Sequence, residues 1–281
     1  MRLAIRTIDV RLIAHLSDLH FGRIDVEALP ALRASLAAVA PDLVVVSGDL
    51  TQRARSGEFI VARDFLASLP APQLVVPGNH DVPLYDLVDR WLAPLRNYRR
   101  YIASDLEPFF ADGEIAVLGV NTARSNTLKS GRVNRGQIER GVKRLDASGP
   151  LATRIVVTHH PFDFPIGDEN TSVVGRAAMA MAGFAQSRVD MILSGHLHRS
   201  DVSDGLARYA GRSVLLVQAG TATSTRRRGE VNSFNLIRVD GPCVSIESHA
   251  FDSRRGEFGV FSSRAFQRDA NGWREQAGSS A

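Results

Sequence analysis

Cysteine is almost absent from this chain, because Cys243 is the single one among 281 residues. A lone cysteine excludes a disulfide framework within the chain and a zinc site built from paired thiolates. Long apolar runs are also absent, and residues 177–182 are far short of the roughly 20 apolar residues that span a bilayer. The first ten residues lack the apolar core and cleavage site of a signal peptide. We therefore expect a cytoplasmic protein with no integral membrane segment.

Lysine is scarce as well, since only Lys129 and Lys143 occur and arginine supplies nearly all of the positive charge. The 34 basic and 30 acidic side chains leave a net charge of +4, which is a weak field for a chain of this length. Such a charge is compatible with phosphate-bearing partners and equally with a solvated arginine-rich surface. The 44% hydrophobic and 23% charged residues are typical of a globular protein rather than a disordered or fibrous one.

What the chain does have is a series of short, nearly continuous apolar runs, each about as long as a buried strand. They occupy residues 12–16, 43–46, 74–76, 155–157 and 191–193. Helical patterns lie between them, for example at 27–39, where apolar residues recur at helical spacing. Alternating strands and helices predict an α/β layered fold, and further alternating strands follow beyond residue 211.

The domain organisation follows from shifts in this pattern. We expect residues 1–266 to form a single domain, in which 82–112 is a helical cap insertion rich in arginine and tyrosine and broken by prolines. Residues 267–281 are rich in glycine, serine, alanine and charge without periodicity, which predicts a disordered tail.

Residue types that bind metals follow five of the apolar runs directly. The motifs are D-x-H at 18–20, G-D at 48–49, G-N-H-D at 78–81, H-H at 159–160 and G-H-x-H at 195–198. Because ligands collect outside the carboxyl ends of the strands in open α/β sheets, these five loops can converge. The candidate ligands are Asp18, His20, Asp49, Asn79, His159, His196 and His198.

The chemistry of this set indicates the kind of metal and the number of ions. Carboxylate, amide and imidazole donors without a thiolate suit Mn²⁺, iron or Zn²⁺ better than Ca²⁺ or a purely structural zinc. Seven ligands exceed one coordination shell that must also admit a substrate. We therefore infer two ions that share a ligand, and Asp49 is the natural bridge.

In this order the five motifs resemble those of the calcineurin-like metallophosphoesterase superfamily, and they span residues 18–198. The resemblance implies an α/β fold, a four-layer α-β-β-α double β-sandwich with a small helical cap insertion. It implies a first ion held by Asp18, His20, Asp49 and His198. It implies a second ion held by Asp49, Asn79, His159 and His196.

The same resemblance implies a role for two further residues. His80 is expected to meet the scissile phosphate and protonate the leaving oxygen, and Asp81 is expected to orient that imidazole. Histidine suits this task because its pKa lies near neutrality. Two divalent or mixed-valence ions, as Mn²⁺, Fe²⁺/Fe³⁺ or Zn²⁺, would generate a bridging hydroxide that attacks phosphorus in line. The role of His160 stays open at this point.

Within the superfamily, the chain is most similar to bacterial class III cyclic nucleotide phosphodiesterases. Purple acid phosphatases carry a tyrosine where this chain has Gln52, and lipid A precursor hydrolases typically have arginine where it has His80. We predict a phosphodiesterase for which a 3′,5′-cyclic nucleotide is the leading substrate. Whether it also cleaves monoesters stays open, as does a homodimer.

Other functions are also consistent with these motifs. A phospholipid or glycerophosphodiester phosphodiesterase would use the same residues, so a lipid substrate stays open. A nuclease would need a basic track, for which the arginines at 96–100 offer only a short one, so we expect no nucleic-acid partner. A non-catalytic scaffold would usually have lost a ligand.

Two further segments have roles that the motifs do not assign. The arginine run at 226–228 is either a phosphate clamp or a solvated loop, and the insertion at 82–112 is the expected selectivity element.

Overall fold

The structure is a computed structural model and describes residues 9–70, 72–127, 130–149, 152–163, 173–205, 213–226, 230–269 and 272–276. The chain begins with β1 (Arg11–Leu16), α1 (Ala28–Val39), β2 (Leu43–Val46), α2 (Ser56–Ala67) and β3 (Gln73–Val75). It continues with α3 (Leu87–Leu92), α4 (Arg96–Tyr101), β4 (Phe109–Ala111), β5 (Ile115–Gly119), α5 (Arg135–Ala147), β6 (Thr153–Val157), α6 (Ala177–Gln186) and β7 (Met191–Ser194). It ends with β8 (Asp201–Gly205), β9 (Val214–Gln218), β10 (Ser233–Asp240), β11 (Cys243–Asp252), β12 (Glu257–Asp269) and β13 (Gly272–Glu275).

The strands form two mixed sheets. One has seven strands in the order β13-β12-β11-β10-β1-β2-β3, and the other has six in the order β4-β5-β6-β7-β9-β8. Strands β1, β2 and β3 are parallel in the first sheet, as are β5, β6, β7 and β9 in the second. The carboxyl ends of each parallel set therefore lie at one edge of their sheet, which is where the predicted ligand loops begin.

Three apolar cores separate four layers. The inner core packs one sheet against the other, for example Ile13 and Val45 with Val157. The outer faces are covered by helices, since Leu32 of α1 packs with the first sheet and Phe184 of α6 packs with the second. Because central strands are buried on both faces, their sequences are continuous apolar runs rather than alternating ones. The predicted four-layer α-β-β-α sandwich is confirmed.

Residues 82–112 contain the two short helices α3 and α4, which come after β3 and before β4 in the chain. Tyr98 of α4 is fully buried, and its hydroxyl donates a hydrogen bond to the Val75 carbonyl at 2.9 Å. The end of the segment differs from the helical prediction, because β4 at Phe109–Ala111 pairs antiparallel with β5. In the described part of the chain, no helix is both long and apolar enough to cross a membrane.

The prediction of a disordered tail at 267–281 differs from the structure at 267–269 and 272–275, which lie in strands. Strand β12 extends to Asp269, and β13 pairs with it. Trp273 is 6% exposed and lies in the core between the sheets, where its indole N–H donates to the Asp190 carbonyl at 2.8 Å. Burial of one large aromatic side chain outweighs the polar composition around it. Residues 270–271 and 277–281 lie outside the described residues.

Candidate metal centre

Loops from both sheets bring all seven predicted ligands to one region. Asp18 and His20 follow β1, Asp49 follows β2, and Asn79 follows β3. The remaining three come from the second sheet, where His159 follows β6 and the pair His196 and His198 follows β7. The sheets face each other, so the strand ends form one cluster although 180 residues separate its first and last members.

The backbone of these loops is held in an uncommon conformation. Five of the seven candidate ligands have a positive φ, with values from 49° to 75°. They are Asp18, His20, Asp49, His196 and His198. For non-glycine residues this left-handed region costs of order 1–3 kcal/mol each and persists only where the surroundings enforce it. The surrounding fold therefore holds the backbone of these five residues in a strained conformation, and this conformation directs their side chains into the cluster.

Glycines next to the ligands allow the loops to approach each other. A Cβ on Gly78 would collide with the carboxylate and backbone N of Asp49. A Cβ on Gly195 would collide with Ser17 Oγ and Asp18 Oδ2. Glycine at both positions is thus required by close packing of the loops.

One group of ligands surrounds the carboxylate of Asp18. Asp18 Oδ1 lies 3.2 Å from His198 Nε2 and 3.5 Å from His20 Nε2. Asp49 Oδ2 lies 3.8 Å from the same His20 nitrogen. These four side chains are buried, and their ligand atoms lie within 4.8 Å of one another. These are the four side chains expected around the first ion, and they could hold a metal ion.

A second group lies on the other side of Asp49. His159 Nε2 is 3.3 Å from Asp49 Oδ2 and 3.1 Å from Asn79 Oδ1. The His196 ring lies 5.2 Å from the His159 ring, centroid to centroid. Asp49 thus faces both groups, which is the position expected of a shared ligand.

His160, whose role the sequence leaves open, lies at the edge of the second group. One ring nitrogen from each of His159, His160 and His196 lies within 4.8 Å of the other two. His160 Nδ1 lies 2.7 Å from Thr122 Oγ1, which orients the ring. The structure therefore adds His160 as a neighbour of the second group.

Backbone carbonyls orient the ligand imidazoles. His159 Nδ1 donates to the Ser47 carbonyl at 2.8 Å, and His198 Nδ1 donates to the Arg226 carbonyl at 2.9 Å. Each bond directs Nε2 toward the carboxylates. Such outer partners fix the tautomer and orientation of a metal-ligating histidine.

The electrostatics of the cluster fit a cation. Among the described residues, Asp18 Oδ1 and Asp49 Oδ2 accept no hydrogen bond of normal geometry although both are buried. Burial opposes ionisation of Asp18, yet His198 holds the pKa of its carboxyl well below the usual range. Burial lowers the pKa of His159, but the Asp49 carboxylate outweighs it and raises that pKa to about 9. Buried, unsatisfied carboxylate oxygens facing imidazole nitrogens suit divalent metal ions.

His80 stands beside the cluster without belonging to either group. Its ring lies 5.0 Å from the His20 ring, and its backbone N–H donates to Asp49 Oδ1 at 2.8 Å. His80 Nδ1 donates to the Gln52 carbonyl at 2.8 Å, so Nε2 is the ring atom left to meet a reactant. Burial lowers the pKa of His80, against the attraction of Asp49.

The described contacts of Asp81 differ from those expected of a residue that orients the His80 ring, because His80 Nδ1 bonds to the Gln52 carbonyl. The Asp81 carboxylate instead accepts hydrogen bonds from four donors on neighbouring loops, at 2.9–3.2 Å. They are Leu50 N, Thr51 N, Thr51 Oγ1 and Gly78 N. Burial and the nearby Asp49 raise the pKa of Asp81 to about 6, so it is mainly ionised at pH 7, as four donors require. Asp81 ties together the loops after β2 and β3, and the Gln52 carbonyl orients His80.

Comparison with known proteins agrees with this geometry. A sequence model of the calcineurin-like phosphoesterase family matches residues 11–200. The 3′,5′-cyclic adenosine monophosphate phosphodiesterase CpdA of Escherichia coli is 25% identical over 263 residues, which cover 89% of this chain and 87% of that protein. The glycerophosphodiester phosphodiesterase GpdQ of Enterobacter lignolyticus is 43% identical over only 86 residues, which are 25% of this chain and 29% of the relative.

Solved structures share the fold at low sequence identity. A purple acid phosphatase from yellow lupin superposes with a TM-score of 0.69 at 14% identity, over 94% of this chain and 55% of that one. A dimetal phosphatase from Danio rerio superposes with a TM-score of 0.58 at 12% identity, over 90% and 98% of the two chains. The predicted family and hydrolase class are confirmed. Because the family model matches residues 11–200, the chain belongs to the calcineurin-like phosphoesterase family.

Proposed function

We propose that this chain is a dinuclear metal-dependent phosphodiesterase, for which a 3′,5′-cyclic nucleotide is the leading substrate. The observation that carries the proposal is the position of Asp49, whose Oδ2 faces His20 at 3.8 Å and His159 at 3.3 Å. One buried carboxylate thus joins two ligand groups. We also propose a cytoplasmic location for the enzyme.

The ligands divide between the two ions as the family resemblance implies. Asp18, His20 and His198 would hold the first ion, and Asn79, His159 and His196 the second, with Asp49 shared. When bound, the ions supply Lewis-acid stabilisation of negative charge on the phosphate and acidify the attacking water. Manganese, iron and zinc all suit these donors.

The chain's own residues position the phosphodiester and manage the proton of the leaving group. His80 is held through Nδ1 by the Gln52 carbonyl, which leaves Nε2 to exchange a proton with the leaving oxygen. An alkoxide leaving group needs that proton at neutral pH, and a positioned acid contributes about 10²–10⁴-fold to such steps. Asp81 supports this geometry indirectly by holding the loops after β2 and β3 together.

Two groups of relatives favour different substrates. The match to CpdA over 89% of the chain supports a cyclic nucleotide, as does a probable cyclic nucleotide phosphodiesterase of Synechococcus that is 24% identical over 224 residues. The local match to GpdQ, at 43% identity, supports a glycerophosphodiester as the second candidate.

Turnover of several diesters by one preparation tests the proposal. The protein is stripped with a chelator, restored with Mn²⁺ and assayed on 3′,5′-cyclic AMP, a glycerophosphodiester and bis(p-nitrophenyl) phosphate. Efficient cleavage of cyclic AMP and of the synthetic diester supports the leading substrate. Cleavage of the synthetic diester without cyclic AMP turnover would move the assignment to glycerophosphodiesters or other diesters. No metal-dependent cleavage of any of the three contradicts the proposal.

A further inference from the structure

The loop after β9 brings an arginine to the candidate centre. Residues 219–226 are fixed against the loop after β1 by backbone hydrogen bonds, including Ala222 N to the Ser17 carbonyl at 3.0 Å and Thr225 N to the Arg23 carbonyl at 2.9 Å. Ser224 Oγ accepts the backbone N–H of Arg226 at 3.0 Å. Arg226 is therefore held in place by its backbone, at the end of an anchored loop.

The backbone and the side chain of Arg226 each contact a histidine at the candidate centre. Its carbonyl accepts the Nδ1–H of His198 at 2.9 Å. Its guanidinium Nη1 lies 2.7 Å from His80 Nε2. Because Nη1 can only donate, His80 Nε2 must be the acceptor of this bond, and His80 carries its ring proton on Nδ1. The guanidinium thus occupies the position where a leaving oxygen would meet His80.

A phosphodiester would compete for this guanidinium. A phosphate oxygen is anionic and accepts charge-assisted hydrogen bonds that are about twice as strong as neutral ones. A guanidinium presents five donors in a planar fork that matches the geometry of phosphate oxygens. Transfer of the guanidinium from His80 to a phosphate oxygen also frees Nε2 to take up a proton from solvent, which the ring must hold before it can protonate the leaving oxygen.

We propose that Arg226 is a substrate-binding residue that donates to a non-bridging oxygen of the phosphodiester on the side of His80. The inference rests on the proposed function for the identity of its ligand. Its neighbours Arg227 and Arg228 lie outside the described residues, so Arg226 alone of the arginine run 226–228 is proposed to bind phosphate.

The test compares Arg226→Gln and Arg226→Lys with the wild type and with Arg254→Gln. Arg254 is exposed in the turn between β11 and β12 and serves as the matched control. Each protein is loaded with Mn²⁺, and its metal content, circular dichroism and kinetics on bis(p-nitrophenyl) phosphate are measured. Binding of inorganic phosphate, measured by calorimetry, gives a readout that needs no turnover, and competitive inhibition by phosphate is measured alongside it.

Loss of one charge-assisted hydrogen bond to substrate predicts a weakening of about 10- to 100-fold. Arg226→Gln should therefore raise KM and the dissociation constant of phosphate by that factor while metal content stays at the wild-type level. Arg226→Lys should recover part of the loss, because a lysine supplies charge without the fork. Arg254→Gln should match the wild type.

Two results would overturn the inference. Phosphate affinity and KM of Arg226→Gln within about twofold of Arg254→Gln would show that the guanidinium does not bind substrate. A loss of bound manganese in parallel with activity would assign Arg226 to supporting His198 instead. Failure of the proposed function is distinct, since it would appear as a wild type without diester turnover, and the phosphate titration would still decide the role of Arg226.

Discussion

Asp49 Oδ1 accepts the backbone N–H of His80 at 2.8 Å, while Oδ2 of the same carboxylate faces His159 Nε2 at 3.3 Å. One oxygen thus positions the proposed proton donor, and the other faces the ligand groups. Any change at Asp49 acts on metal binding and on His80 together.

Asp49→Asn should remove most of the bound metal. The amide is neutral, and its NH₂ group would face imidazole nitrogens in place of an anionic oxygen. We expect fewer than two ions per chain and a fall in kcat/KM of at least about 100-fold, since even outer partners of metal ligands contribute about 10–100-fold. Elemental analysis after dialysis and steady-state kinetics check this. Retention of both ions with wild-type turnover would refute the bridging role.

His80→Gln should lower kcat by about 10²–10⁴-fold while leaving metal content unchanged, because His80 supplies a proton and no ligand. The loss should be larger for a diester with an alkoxide leaving group than for one that releases p-nitrophenolate, which needs little protonation. Kinetics on both kinds of substrate measure this difference. An equal loss on both would argue that His80 acts only in binding.

Asp81→Asn should destabilise the fold rather than the chemistry directly. The carboxylate accepts four hydrogen bonds, and an amide nitrogen in its place would face N–H groups that need an acceptor. Breaking such a buried charged network typically costs about 3–5 kcal/mol, measurable by urea unfolding. Asp64→Asn, at an exposed carboxylate paired only with Arg63 in the described contacts, is the control and should change stability by less than about 1 kcal/mol. Equal stability of the two variants would contradict the role assigned to Asp81.

Stability of the metal-free protein should fall as the pH rises from about 7 to 9.5. Burial lowers the pKa of His159, but the Asp49 carboxylate raises it to about 9, above the value near 6.5 of an unfolded histidine. The folded state therefore holds an extra proton between these values, and its stabilising effect is lost as the pH rises through 9. We expect Tm to drop by about 5 °C without metal, and by less with Mn²⁺, which replaces the proton. Differential scanning calorimetry measures both series, and a metal-free Tm that is constant or rises would contradict the ion pair.

Much of the centre could be predicted from the sequence because each ligand directly follows a short apolar run. Strands β2 and β7 begin at the predicted residues, and their carboxyl ends place Asp49 and His196 in the cluster. Parallel strands buried on both faces have a continuous apolar sequence that is easy to recognise. The loops that follow them all begin at the same edge of the sheet.

The contacts that the sequence did not predict involve backbone groups or distant loops. The carbonyl of Gln52 orients His80, and no side-chain pattern marks a carbonyl for that task. Arg226 reaches His80 across 146 residues, from a loop whose path depends on hydrogen bonds to the loop after β1. Strand β12 has no simple alternation of buried and exposed residues, because its exposed positions include Val260 and Phe261 beside polar ones, and only its partners in the sheet define it.

The most direct test of the two-ion account is a titration of the metal-free protein with Mn²⁺, in which bound ions per chain and turnover of bis(p-nitrophenyl) phosphate are measured on the same samples. The account predicts two ions per chain at saturation, with full turnover reached only as the second ion binds. Full activity with one ion per chain, or two bound ions without metal-dependent cleavage, would contradict it.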